Sequence, residues 1–467
     1  MARPSPDVAD LTAELRRSPL SNAASLIWTL GLGSQATLSR LIVRAGEDVV
    51  PIGRARARRY AAARAVRGLP YEIPLFRIDA RGSLERIAGI RTFAPGGHFV
   101  DGAEKLPRWM RGHRGDGVFE GLPVFLVDQR PQGFLGRTFA RRNAELGLSD
   151  NPETWTDDDC TFALAKSGED CVGDLVVGDE SARRLYAAWA AGQTIIPLAQ
   201  RAVVYPALAE EAINGVAPGS SAGGEQPKFG AIVADRLSPI PILVKFSPGD
   251  DSPAADRWRD LLIAEHLALQ TLRRHKVPTV RSEILEAGGR VFLQTMRFDR
   301  EGARGRRPVI SLHAMNGEYV GIAAGAGAGR WLDAIERLQR DRWLSPATVA
   351  QVRDLHAFGQ FIANSDMHFG NLSLLPLNDG TLALAPVYDM LPMSYAPVAG
   401  EVPARHFEPP LPEPGEEAAW LRAGERAIEF WQAVASESRV SGAFRKIAAD
   451  NAAATAKALA RFGHAFE

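Results

Sequence analysis

Three side chains near the end of the chain have the types and spacing to work on a phosphate. Asp366 and Asn371 lie five positions apart in Asn364-Ser-Asp-Met-His-Phe-Gly-Asn371, and Asp389 follows eighteen positions later in Ala385-Pro-Val-Tyr-Asp389. Moving a phosphoryl group onto a hydroxyl calls for one carboxylate that takes or orients the attacking proton. It also calls for an amide oxygen and a second carboxylate to hold magnesium against nucleotide phosphates. Asp366, Asn371 and Asp389 supply those groups in that order.

Such a set also needs a cation for the phosphates. Ile242-Leu-Val-Lys-Phe246 reads as a buried strand with one lysine, and an apolar strand tolerates a lysine poorly unless its ammonium is paired. The natural partner of Lys245 is Glu265, on the polar face of a helix predicted over Trp258–Leu272 among Leu261, Leu262, Leu267 and Leu269. Upstream, Ala217-Pro-Gly-Ser-Ser-Ala-Gly-Gly-Glu-Gln-Pro-Lys228 is a Gly/Ser-rich loop ahead of strand-like Phe229–Val233. Its glycines let backbone N–H groups approach phosphate oxygens, and Lys228 offers a point charge. It is not a Walker A loop, which requires Gly-Lys-Ser/Thr at its own spacing. In a two-lobed kinase the segment after the strand leading out of the small lobe forms the hinge whose backbone hydrogen-bonds adenine. Met296, Arg297 and Phe298, which end the strand from Val291 onward, are the candidates here. The layout resembles a kinase catalytic apparatus outside the common class. No His-Arg-Asp precedes the loop, and Asp389 sits in Val-Tyr-Asp-Met rather than Asp-Phe-Gly.

The elements that position these residues need a long chain, and 467 residues with 46% hydrophobic content suffice for two or three cores. Lys+Arg and Asp+Glu both total 55, so whole-chain charge points to no partner. Its distribution does: residues 1–67 carry eleven arginines against five acids, a net +6. Within them, Asn22–Leu30, capped by Ser21, and Gln35–Ala45, capped by Ser34, have helix-turn-helix spacing, with Leu38, Leu41 and Ile42 on one face. The opposite face carries Gln35, Thr37, Ser39, Arg40 and Arg44, side chains suited to base edges and phosphates. Asp48–Tyr60 then reads as a β-wing whose Arg54, Arg56, Arg58 and Arg59 would track a phosphate backbone. Trp28 is expected in the core.

Between this module and the lysine strand, Ile73–Phe76, Leu84–Ile90, His98–Val100 and Val124–Leu126 read as short strands among glycines. His98 and His113 lack a metal-ligand spacing partner and are read as incidental. Thr156 before Asp157–Asp159 marks a helix start, and Gly168–Leu175 the turn and strand that open the next domain. Beyond the hinge, helices are expected over Val349–Ala363, Glu416–Val434 and Ala443–Phe462. Cys160 and Cys171 match neither a zinc clamp nor a disulfide framework and are read as reduced thiols. The start of the chain lacks a segment of signal-peptide character, and nowhere do about 18 apolar residues run uninterrupted. A cytoplasmic protein without a membrane partner is the expectation.

Taken in order, Ser-Ser-Ala-Gly-Gly-x-x-Pro-Lys, Val-Lys-Phe, Arg-Phe-Asp-Arg, Asn-Ser-Asp-x-His-x-x-Asn and Pro-Val-Tyr-Asp resemble the motifs of HipA-like serine/threonine kinases, toxins of bacterial toxin–antitoxin systems. The resemblance covers roughly residues 70–467, and the basic module ahead of it looks like a branch with its own N-terminal winged helix. Carried over by position, it implies ATP and Mg2+ as cofactors, Asp366 as catalytic base and Asn371 and Asp389 as metal ligands. Lys245 becomes the phosphate-binding lysine. Ala222, Gly223, Gly224, Glu225, Gln226, Pro227 and Lys228 would cover the phosphates, and His368 and Tyr388 would line the nucleotide site. Family members can shut themselves off by phosphorylating the loop serine, here Ser220 with Ser221 adjacent. A dianion there would repel the nucleotide. Gly370 stands where many relatives carry lysine, and the Gly-rich loop is longer than in the founding toxin. The resemblance further implies a protein substrate, often in the translation apparatus, and an antitoxin partner.

The expected architecture is therefore α+β: a DNA-binding winged helix-turn-helix over 1–67, a β-rich subdomain over 68–150, a kinase N-lobe over 151–300 and a helical C-lobe over 301–467. The rival reading is a non-catalytic DNA-binding regulator whose kinase fold senses nucleotide or scaffolds. A third keeps the phosphotransfer but uses a small-molecule acceptor.

Overall fold

Reciprocal hydrogen bonds between Asp7 and Asp10 cap the first helix, α1 (Val8–Arg17). This computed structural model describes residues 5–215, 226–235, 238–323 and 330–463. After α1 come β1 (Ser21–Asn22), α2 (Ala23–Thr29), α3 (Gln35–Ala45) and the hairpin β2 (Val49–Ile52) and β3 (Arg59–Ala62). The strands form an antiparallel sheet in the order β1-β3-β2. Ser34 caps α3, but Asn22 rather than Ser21 caps α2, because Ser21 pairs with Tyr60 and its hydroxyl donates to Ser18 O. Leu11, Leu15, Leu26, Leu38 and Leu41 fill this module's core. Trp28 does not join them and is 88% exposed. Leu26 is the residue α2 buries, and two positions further is about 200° around a helix.

The middle module runs β4 (Ile73–Ile78), β5 (Leu84–Phe93), β6 (Gly97–Asp101), β7 (Val118–Phe119), α4 (Val124–Val127), α5 (Gly133–Arg142), α6 (Asp157–Ser167), β8 (Leu175–Val177) and α7 (Asp179–Ala191). Its antiparallel sheet has the order β7-β6-β5-β4-β8, so it takes its edge strand from beyond the expected boundary at 150. Val124–Leu126 is helical, not a strand. All three side chains are buried, and an apolar run buried on every side carries no period by which to separate strand from helix. Thr156 caps α6 reciprocally with Asp159. The first module is welded on: Ala63 bridges Phe93, Ala94 N–H donates to Ala62 O at 2.9 Å, and Val50, Ile52 and Ala61 share a core with Phe93, Phe99 and Val118.

The small lobe contains β9 (Ile195–Pro197), α8 (Arg201–Ile213), β10 (Lys228–Asp235), β11 (Ser238–Phe246), α9 (Pro253–Arg274), β12 (Ser282–Ala287) and β13 (Arg290–Met296). The sheet order is β12-β13-β11-β10-β9, and α9 starts earlier than expected because Ser252 caps it with Pro253 in the first turn. The large lobe follows β14 (Arg300–Glu301) and β15 (Gly305–Arg306). It comprises β16 (Ile310–Ser311), α10 (Leu312–Met315), α11 (Arg330–Arg340), α12 (Pro346–Phe361), β17 (Ser373–Pro376), β18 (Leu382–Leu384), α13 (Glu417–Ser436) and α14 (Gly442–Gly463). The fold is the expected α+β, two-lobed, kinase-like arrangement. Among the described residues no helix is long and apolar enough to cross a membrane.

His98 is a working part of the middle module's core. It is fully buried, with Nδ1 2.8 Å from Gly121 O and Nε2 3.0 Å from Thr161 Oγ1. Nδ1 faces a carbonyl oxygen and so carries a proton, while the Thr161 hydroxyl donates to Asp157 O at 2.7 Å. Burial, reinforced by the Arg64 guanidinium, lowers its pKa to about 4. A depressed histidine pKa stabilises the fold above the unfolded value and loses that contribution as pH falls through the folded one. Thermal melts of the wild type should therefore lose roughly 3 kcal/mol between the unfolded histidine pKa and pH 4 through this group alone. His98→Gln should flatten that slope, and an unchanged slope would assign the acid sensitivity elsewhere.

Candidate active site

The central β-sheet of the small lobe places two lysines side by side. Lys228, at the start of β10, pairs directly across the ladder with Lys245 of β11, and both are buried. Like charges opposite one another repel, so the acids around them are structurally required. Lys245 Nζ lies 2.8 and 2.7 Å from the two oxygens of Glu265 on α9 and 2.5 Å from Asp389 Oδ1 of the large lobe. Burial opposes the lysine's charge, but the Asp389 and Glu265 carboxylates outweigh it and raise its pKa. Asp389 stays ionised against the same burial because Lys245, then Lys228, hold its pKa down, whereas burial raises Glu265.

The loop after α12 is built around its own backbone. Ala363 and Asp389 both adopt left-handed φ, at 58° and 52°, a conformation that non-glycine residues keep only where surroundings enforce it. Asn364, buried, accepts from Asp366 N at 3.1 Å, and Asn371 Nδ2 donates to Asp366 O at 2.5 Å. That use of Nδ2 leaves Asn371 Oδ1 as the atom suited to a cation. His368 caps the turn by accepting from Gly370 N at 3.0 Å, and the Trp331 indole donates to His368 O at 3.0 Å. Tyr388 donates to Gly370 O at 3.0 Å, sits 2.7 Å from the Ser373 hydroxyl and stacks on Phe298 at 5.8 Å. Asp366 keeps a half-exposed carboxylate 3.9 Å from His368 Nε2.

A cavity of about 500 Å3 joins most of these groups. Lys228, Lys245, Glu265, Met296, Arg297, Phe298, His368, Asn371, Tyr388 and Asp389 all line it, while Asp366 stands outside that lining. Of the expected hinge, Met296 N–H donates to Arg281 O and Arg297 N–H to Pro241 O, so both are spent within the protein. Among the described residues Phe298 N–H has no such partner. Gln226 and Pro227 precede Lys228 in the described chain, whereas Ser220, Ser221, Ala222, Gly223, Gly224 and Glu225 lie outside the described residues. Sequence reasoning missed the part of the wall that comes from the middle module, Asp128, Gln132, Glu153 and Val172, which no spacing connects to the lysine strand. It also missed Trp331, whose role is visible only from the loop it holds.

In the first module, Gln35, Ser39, Arg40 and Arg44 are exposed on α3, and Thr37 is half-buried, accepting from Arg40 at 3.4 Å. The wing differs from a free basic hairpin. Arg54 pairs with Glu104 at 2.7 Å and Arg59 with Asp116 at 2.5 Å, both acids of the middle module, and Arg58 donates to Gly53 O at 3.4 Å. The side chain of Arg56 lies outside the described part of the structure.

Comparison with known proteins agrees with this geometry. Residues 220–460 match the HipA-like C-terminal domain and residues 69–186 the middle domain of YjjJ-like toxins. The chain is 40% identical over 448 residues to Toxin YjjJ of Escherichia coli (strain K12), covering 94% of this chain and 96% of that protein. Among solved structures it resembles HipA in the Shewanella oneidensis MR-1 complex of HipA, HipB and operator DNA. That likeness has a TM-score of 0.52 at 13% identity and covers 83% of this chain and 97% of that one. The chain belongs to the HipA-like toxin kinase family, and its middle module is of the YjjJ-like kind.

Removing Lys245 would leave Glu265 buried without its cation. Lys245→Met is expected to lower the unfolding free energy by about 3–5 kcal/mol in urea denaturation. Arg54→Ala, which removes an exposed pair, should change it by about 0.5 kcal/mol or less. Similar losses in the two variants would show that the lysine is not a structural keystone.

Proposed function

We propose that this protein is an ATP- and Mg2+-dependent serine/threonine protein kinase that also phosphorylates its own Gly-rich loop at Ser220 or Ser221. The observation that carries the reading is Lys245, buried in the cavity wall and ion-paired to both Glu265 and Asp389. A lysine on a strand, held by a helix glutamate beside a metal-binding aspartate, is what phosphoryl transfer requires of a small lobe. Asn371 Oδ1 and Asp389 would hold magnesium, which when bound shields the phosphate charge. Lys245 and Lys228 would take phosphate oxygens, and Phe298 N–H the base.

Asp366 would accept the proton of the acceptor hydroxyl as its oxygen bonds the terminal phosphorus and the bridging P–O bond to ADP breaks. Its half-exposed carboxylate favours a hydroxyl carried on a protein over a small molecule enclosed in the cavity. We further propose that the first module is a winged helix that binds DNA through Gln35, Ser39, Arg40 and Arg44 of α3. The helix-strand-helix-helix-hairpin order and the exposure of those side chains support this reading. By analogy with the HipA complex captured with HipB and operator DNA, an antitoxin partner is part of it.

The deciding experiment incubates purified protein with Mg2+ and γ-labelled ATP and maps phosphosites by mass spectrometry. Wild type should carry label on Ser220 or Ser221. Asp366→Ala should lower the rate about 100-fold or more, and Asp389→Ala should also weaken Mg2+-dependent nucleotide binding. Label retained at wild-type rate in both variants would overturn the role assignments, and nucleotide binding without label would favour the regulator. For DNA, Arg40→Ala with Arg44→Ala should reduce the slope of log affinity against log salt by about 1–2. Replacing Arg54 and Arg59, already paired with acids, should reduce it less. The reverse ranking would move the contact from α3 to the wing.

A further inference from the structure

The stretch Arg297-Phe-Asp-Arg300 lies between the two lobes, and its charges face the middle module. Asp299, 4% exposed, accepts from Arg297 Nε at 3.0 Å, Arg297 Nη2 at 2.7 Å, Arg300 Nη1 at 2.6 Å and Gly173 N at 3.0 Å. Arg300 in turn donates to Cys171 O at 2.7 Å, Asp170 Oδ1 at 3.1 Å and Gly173 O at 3.2 Å. The turn that receives these bonds, 169–173, joins α6 to β8 of the middle module. It lies outside the region that matches the HipA-like C-terminal domain and inside the YjjJ-like one.

A buried cluster of this kind often only glues two modules together. Here two of its members, Arg297 and Asp299, together with Val172 of the turn, also line the cavity, next to Met296 and Phe298. The sheet side of the same segment is already fixed through Met296 N–H and Arg297 N–H. The cluster fixes the other side. Charged hydrogen bonds in a desolvated setting are strong and directional, so the position of Phe298 depends on a turn more than 120 residues earlier in the chain.

We propose that the middle module completes the nucleotide site, with Asp299 and Arg300 as positioning residues that lock the base-facing Met296–Phe298 segment onto its 169–173 turn. This rests on the kinase reading of the cavity. The nucleotide-binding unit then extends beyond residues 220–460, and this module tunes ATP affinity.

The test uses the full-length protein with Mg2+ and a fluorescent N-methylanthraniloyl ATP, followed by half-saturating ATP and maximal rate for autophosphorylation. Asp299→Asn should raise the dissociation constant and the half-saturating ATP about tenfold, with a smaller effect on the maximal rate, the pattern of lost nucleotide binding. Asp170→Asn, at a side chain 61% exposed and therefore tolerant of substitution, should raise both about threefold. If Asp299→Asn does not fold, Asp170→Asn decides alone. Lower melting temperature with unchanged ATP affinity would reduce the cluster to glue and overturn the proposal while the kinase reading stands. Failure of the wild type to bind the analogue would overturn both.

Discussion

The Lys245 ammonium, held between Glu265 and Asp389, is the constraint around which the rest is arranged. Each of the three charges loses solvation when buried, and the loss is tolerable only if all are brought together with good geometry. One partner comes from α9, packed on the small-lobe sheet, and the other from the large lobe, 144 residues further on. The lysine strand therefore cannot be buried comfortably unless the two lobes meet. Lys228, directly across the ladder, brings the local count to two cations and two anions. Under the kinase reading proposed above, the same balance would suit a nucleotide, whose negative charge would meet the lysines, and magnesium, whose positive charge would meet Asp389.

The loop after α12 depends on that meeting. Tyr388 precedes the ion-paired Asp389, so its ring and hydroxyl are placed where they stack on Phe298 and bond Gly370 and Ser373. Asn364, Asp366 and Asn371 then close the loop on itself through backbone groups, and strained φ values at Ala363 and Asp389 mark where the surroundings outweigh local preference. The middle module touches this centre from one side and the first module from the other. The middle module's sheet carries the end of β3, its acids hold Arg54 and Arg59, and its 169–173 turn holds Asp299 and Arg300. The molecule is in this sense joined through its least recognisable part.

Much of the site was legible because chemistry restricts residue types. An apolar strand with one lysine demands a carboxylate, and a helix with one acid in reach supplies it; Lys245 and Glu265 are that pair. Asp366 and Asn371 likewise lie on one loop, and Asp389 follows the β17–β18 hairpin. What was illegible involved contacts with no local period. Val124–Leu126 is buried on every side and carries no signal separating strand from helix. β8 belongs to a sheet whose other strands are some 60 to 100 residues earlier. Trp28 is large and apolar yet exposed, since helix phase places it opposite Leu26.

By itself, then, the sequence determined the two-lobed kinase-like fold and the identity of the charged residues at its centre. Local period, capping residues and the cost of burying an unpaired charge are all written in short stretches of chain. Tertiary structure alone decided which charges meet across distance. It gave Asp389 to Lys245 as well as Glu265, Asp299 to the 169–173 turn, and Arg54 and Arg59 to acids rather than to solvent. Electrostatic pairing depends on separation in space, and separation in sequence carries almost no information about it once the chain has turned back on itself.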